Sequence, residues 1–206
     1  MLDKLETAGK LPKVEVFVDS PLAINATEIF TMHPECYDMD LTEYLSIDDN
    51  PFGFKDLKFI RSAEKSKALN HYDKPCIIIS SSGMMQAGRV KHHINNNLED
   101  GKNTILVVGY CAANTLGARI REKPKTVRIF GKEKELNADV EIMDSFSAHA
   151  DQSEILDFLK NQDQDRLKTI FLVHGEGERQ DILKEAIQDE GFGEVIIPEL
   201  GEEVML

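Results

Sequence analysis

Three things are scarce in this 206-residue chain, and each scarcity excludes something. Only three cysteines occur, Cys36, Cys76 and Cys111, too scattered for a disulfide framework or a C-x-x-C metal knuckle. Cys76 and Cys111 sit in or beside apolar strand-like runs, which favours reading them as small buried hydrophobes. Basic residues are outnumbered, with 24 Lys and Arg against 37 Asp and Glu, for a formal net charge of −13. Because phosphate binding is driven largely by Lys and Arg displacing counterions, this charge argues against a general attraction to nucleic acid, and any RNA contact must be local. Basic residues do cluster twice, at Arg89, Lys91, His92 and His93 and at Arg119, Arg121, Lys123, Lys125 and Arg128. Long apolar runs are missing as well: none approaches the roughly 20 residues of a membrane helix, and the opening MLDKLETAGKLP has no signal-peptide core. A soluble, cytoplasmic protein without membrane contact is expected. There is no internal repeat and no low-complexity tract.

What is present is enough for a core. Hydrophobic residues make up 41% of the chain, and its length suits one ordinary domain or two small ones. Leu2 and Leu5 among charges, then Gly9, read as a helix tail with a glycine stop. Val14 to Val18 reads as a strand, and Asp19-Ser20-Pro21 as a turn opening a helix through Ala26 and Phe30, with Asp19 as the expected cap. The stretch from His33 to Asp56 lacks periodicity and is expected as helix fragments and loops. Leu57 to Ile60 reads as a strand, Ser62 to Leu69 as a helix, Cys76 to Ser80 as a fully buried parallel strand, and Met85 to Leu98 as a helix. Strand Thr104 to Val108 and helix Asn114 to Arg121 follow before Pro124 breaks the pattern. Such alternation predicts an α/β fold with a parallel sheet. Beyond Pro124, Val127 to Phe130 and Ala138 to Met143 read as a hairpin-linked pair. Helix Gln152 to Leu159, strand Thr169 to Val173, helix Glu178 to Asp189 and strand Val195 to Pro198 complete the chain. Asp151 with Glu154 forms a capping-box-like start for the first of these helices. A boundary is expected near residues 122 to 125.

Three strand-to-helix loops carry candidate chemistry, because ligands of α/β sheets bind at that edge. Ser80-Ser81-Ser82-Gly83, small and hydroxylated ahead of a helix, offers backbone N–H groups to a phosphate, although taken alone the pattern favours plain turn-and-cap duty. His149 lies between a strand and a helix, where an exposed imidazole is suited to proton exchange near neutral pH. His174 is delivered to the sheet edge by an apolar strand, a usual place for a metal ligand but also for a structural histidine.

Taken together, VDSPLA at 18 to 23, SSSGMMQAGR at 80 to 89, VVGYCAANTLGARI at 107 to 120, SFSAHAD at 145 to 151 and LVHGE at 172 to 176 resemble, in order and over nearly the whole chain, the β-CASP branch of the metallo-β-lactamase fold. That family contains RNA-cutting metalloenzymes of RNA decay and mRNA 3′-end processing. The resemblance implies a Rossmann-like β-CASP domain over residues 1 to 122. Residues 123 to 206 would be the C-terminal segment of a metallo-β-lactamase αββα fold, often called the RNA-specificity region. It implies that His149 is the general acid for the leaving oxygen and that His174 ligates one of two zinc ions whose bridging hydroxide attacks the phosphodiester. Ser81, Ser82 and Gly83 would hold an RNA phosphate, with Arg89 neutralising charge nearby or simply solvated.

The family's first metal motif, His-x-His-x-Asp-His, has no counterpart among His33, His71, His92, His93, His149 and His174. Adjacent His92 and His93 point to different helix faces and cannot replace it. The sequence therefore reads as part of a zinc-dependent ribonuclease whose N-terminal metallo-β-lactamase half is the absent partner. Alone, it is expected to bind no stoichiometric zinc and to cut no RNA, since catalytic zinc needs three protein ligands. The alternative is a stand-alone, non-catalytic RNA-binding module. A small-nucleotide-binding domain is disfavoured because no G-x-G-x-x-G follows a strand. A homodimer is left open.

Overall fold

A computed structural model describes residues 1–146, 149–163 and 166–204. Helix α1 (Leu2–Thr7) stops before Gly9, whose φ of 65° is the left-handed conformation that ends helices. The apolar run that follows becomes β1 (Glu15–Val18), and its burial marks it as a central strand. It pairs in parallel with β2 (Leu57–Phe59) on one side and β3 (Cys76–Ile79) on the other, with Val18 opposite both Phe59 and Ile79. Strand β3 is an edge of this sheet and only partly covered, with Ile79 41% exposed, so the expectation of a fully buried strand is corrected.

Helix α2 (Pro21–Met32) starts where proline is tolerated, at the first helical position. Between α2 and β2 the unpatterned segment holds a 3-10 turn (Pro34–Cys36) and a short helix, α3 (Met39–Tyr44), started by the Asp38 side chain. Helix α4 (Ala63–Ala68) is capped by Ser62. Helix α5 (Arg89–Asn97) precedes β4 (Thr104–Val107), and Thr115 caps α6 (Leu116–Arg121).

Past Pro124 the strands pair differently from the expectation. The partner of β5 (Thr126–Ile129) is β6 (Lys132–Glu135), joined through Phe130 and Gly131 with φ of 50° and 78°. Two positive φ values in a two-residue connection match the twist of a tight hairpin. Strand β7 (Asp139–Ile142), expected in that hairpin, lies instead parallel to β4. Val127, Ile129 and Val140 thereby enter one core with Ile94, Leu98, Val107, Leu116 and Ile120. Residues up to Phe146 consequently pack with the first compact unit, Met1–Phe146.

The second unit, Ser147–Leu206, has its own core of Leu159, Ile187, Phe192 and Val195. Helix α7 (Gln152–Lys160) opens with the Asp151–Glu154 capping box that the sequence suggests. Strands β8 (Thr169–Phe171) and β9 (Glu194–Ile196) run parallel on either side of helix α8 (Gly177–Asp189) in the chain. Among the described residues no helix is long and apolar enough to cross a membrane.

Candidate functional site

Strand β3 delivers Ser80 to the sheet edge, and the chain then makes an irregular loop rather than entering a helix. Helix α5, expected from Met85, begins at Arg89, because Met85 and Gly88 take positive φ values of 59° and 81°. The amides of Ser81 to Gly83 are thus not the N-terminus of α5, and the helix-dipole part of the phosphate argument falls away. What holds the loop is hydrogen bonding. The Ser80 hydroxyl donates to the Asp19 carbonyl at 2.8 Å, and the Ser81 and Ser20 hydroxyls meet at 2.7 Å. The Val90 amide donates to the Ser81 carbonyl at 3.4 Å and the Met85 amide to the Ser82 carbonyl at 3.0 Å. The Ser81–Ser82 peptide bond is cis. A side chain at position 88 would collide with the Ser81 carbonyl, so glycine is required there. From beyond β4, the Gly117 amide donates to the Met84 carbonyl at 3.0 Å, and the Cys111 thiol lies 3.5 Å from the Gly83 carbonyl. Gly83 itself is exposed.

Beneath the loop lies a cluster that sequence reasoning did not find. Asp19 does not cap α2; the Ser20 hydroxyl does, accepting from the Ala23 amide at 3.2 Å. The Asp19 carboxylate is instead wholly buried and accepts three side-chain hydrogen bonds of 2.6 Å each, from Arg89 Nη1, the Ser66 hydroxyl and His93 Nε2. Burial alone pushes the Asp19 carboxyl up, but the bonds from Ser66, His93 and Arg89 outweigh it and hold the group below its usual value. It therefore stays ionised, and Nε2 of His93 carries the shared hydrogen. His93 Nδ1 is buried without a partner among the described residues.

Arg89 is placed differently from the expectation. Its Nη1 also donates to the Ile60 carbonyl at 2.8 Å and its Nη2 to the Arg61 carbonyl at 2.7 Å, and the side chain is 21% exposed. Three of its five N–H donors are thus directed into the fold. His92, on the neighbouring helix face, is exposed and lies against the Phe130 ring at 4.9 Å. Arg121, in the second basic cluster, is committed to both Asp144 carboxylate oxygens at 2.7 and 3.1 Å.

The two remaining candidates belong to the second unit. His149 is exposed just ahead of α7. Ser147 and Ala148 of the same SFSAHAD stretch lie outside the described residues. Asp151 is accounted for as the helix cap, as expected. His174 follows β8, exposed and with a φ of 72°; Gln180 of α8 steadies the preceding chain by donating to the Leu172 carbonyl at 3.0 Å. The structure thus brings Ser81, Ser82, Gly83 and Arg89 together around one loop and places each histidine at the entry to a helix. No group of three or more His, Cys, Asp or Glu side chains that could hold a metal ion exists among the described residues. The described residues alone do not fit a zinc site.

Comparison with known proteins adds to this geometry. The profile of the Beta-Casp domain matches residues 1–120, and that of the Zn-dependent metallo-hydrolase RNA specificity domain matches residues 133–198. The chain is 34% identical over 170 residues to Ribonuclease TTHA0252 of Thermus thermophilus, covering 82% of this chain and 38% of the relative. It is 31% identical to Transcription termination factor FttA of Methanosarcina mazei, covering 85% and 28%, respectively. To Cleavage and polyadenylation specificity factor 73 of Drosophila melanogaster it is 28% identical, covering 87% and 25%. The chain therefore spans between 25% and 38% of the length of these three relatives.

Proposed function

Since the chain belongs to the β-CASP family of metallo-β-lactamase-fold nucleases, we propose that it is the β-CASP and RNA-specificity part of a zinc-dependent hydrolase that cleaves RNA phosphodiester bonds. In this reading residues 1–122 form the β-CASP domain and residues 123–206 the C-terminal metallo-β-lactamase segment. Ser81, Ser82 and Gly83 hold an RNA phosphate through hydroxyl and backbone N–H groups. His149 gives a proton to the departing oxygen, and His174 serves as a metal ligand completed by groups outside this chain.

The observation that carries the reading is the Ser81–Gly83 turn, with Ser81 and Ser82 half-buried and Gly83 exposed, at the carboxyl edge of a parallel sheet, where such folds take their ligands. The RNA-specificity match over residues 133–198 supports RNA as the substrate class. A net charge of −13 fits a part that contributes local contacts rather than bulk attraction.

The test uses the 206-residue chain itself. Supplied with zinc and single-stranded RNA, it is expected to leave the RNA intact and to retain less than one equivalent of zinc by elemental analysis. Cleavage, or one or more tightly held zinc ions, refutes the division of labour. Salt-dependent RNA binding of high affinity, lost on substituting Ser82, would favour a stand-alone RNA-binding module instead.

A further inference from the structure

We propose that Asp19 is a positioning residue for the phosphate loop: it grips both ends of the Ser80–Arg89 segment and so fixes the shape in which Ser81, Ser82 and Gly83 meet a phosphodiester. The inference rests on the reading of that loop as the phosphate site.

The geometry is specific. Asp19 directly follows β1, the central strand of its sheet, and its amide continues the pairing with β3 by donating to the Ile79 carbonyl at 2.8 Å. Its own carbonyl accepts from Ser80, the first residue of the loop. Its carboxylate accepts from Arg89, the first residue after the loop and the start of α5. One residue at the end of the central strand therefore holds the loop at entry and exit. Ser66 of α4 and His93, one turn further along α5, both bond the second carboxylate oxygen and fix the rotation of the group. Between the two grips, Ser81 is tied to Ser20 and to the Val90 amide, and the Ser82 amide donates across the loop to the Ala87 carbonyl at 3.4 Å.

A buried carboxylate bonded through both oxygens rigidifies what it holds. A loop already in its binding shape loses less freedom when a ligand arrives, and hence binds more tightly. Asn at position 19 would keep the volume but offer one oxygen to three donors, and its NH2 group would face hydrogens already pointed inward.

Amide hydrogen exchange on the 206-residue chain tests the grip. In Asp19→Asn, the amides of Ser82, Met85 and Val90 are expected to exchange about tenfold faster or more, while those of the second unit keep their wild-type rates. Nuclear magnetic resonance titration with a short oligouridylate tests the consequence: wild-type Ser81–Gly83 amides shift, and the Asn variant needs about tenfold more ligand. If Asp19→Asn does not fold, Ser80→Ala and Arg89→Lys each release one end of the loop, and either is expected to raise exchange in the loop selectively. Unchanged loop protection, or faster exchange spread evenly over the first unit, overturns the proposal. Absence of any oligouridylate shift in a wild-type loop that is protected refutes the phosphate reading instead, and the two failures are thereby distinguishable.

Discussion

Asp19 shows what a single buried residue can hide from a sequence. Its neighbours Ser20 and Pro21 make a helix start so plausible that the carboxylate reads as a cap. Its actual partners Ser66, Arg89 and His93 lie 47, 70 and 74 positions away, distances at which local pattern carries no signal. Ser81, Ser82 and Gly83 stand out as candidates in the sequence because their small side chains and their place after a strand are local facts. The buried carboxylate also has a pH consequence. Because its pKa is lowered in the folded protein, the unfolded chain takes up the proton first as pH falls. The stability contributed by Asp19 is complete above the unfolded value of about 3.9 and drains away as pH falls from there through the folded value. Denaturant melts should find Asp19→Asn less stable than wild type by about 3–5 kcal/mol at pH 7, the usual cost of breaking a buried ion pair. That gap should narrow below about pH 4. A gap independent of pH would show that the carboxylate's charge is not what stabilises the fold.

At the scale of elements, legibility followed the apolar period. Strands β1, β4 and β8 were each readable from runs of β-branched and aliphatic residues, and α7 from its cap and one-sided apolar face. Strand β6 was not, because its sequence Lys-Glu-Lys-Glu contains no apolar residue to alternate. It exists because Gly131 lets the chain reverse within two residues and lie back along β5. Missing it forced β7 into the wrong pairing. The charged strand is also a suitable outer edge, since lysines discourage further strand addition. For α7, the Asp151 side chain accepts from the Glu154 amide at 3.0 Å while Glu154 returns a bond to the Asp151 amide at 2.9 Å. Replacing Asp151 by Ala is expected to cost about 0.5–2 kcal/mol and to fray the first turn of α7, a change visible by circular dichroism and by exchange at Glu154. Because His149 lies just ahead of that turn, the same substitution should disturb its imidazole resonances.

For the whole molecule, the alternation of strands and helices conveyed the α/β character and the parallel sheet. Pro124 ends the α6 pattern, yet Val127, Ile129 and Val140 continue into the core that Leu116 and Ile120 begin. A break in periodicity marks the end of a helix, whereas a unit ends only where apolar contacts do. Two separate cores lead to separate responses. Ile120→Ala, at a fully buried position, is expected to cost about 2–5 kcal/mol and to raise exchange in residues 1–146. The Leu159, Ile187, Phe192 and Val195 core should keep its protection. Equal loss in both would contradict the division. The three thiols are graded in a way that offers a handle on all of this: Cys36 is exposed, Cys76 half-buried and Cys111 buried, and burial pushes the latter two thiols up and away from the reactive thiolate. A maleimide dye at neutral pH should accordingly attach once, at Cys36. The native chain thus comes with a ready point for a fluorophore beyond α2, without any engineered substitution.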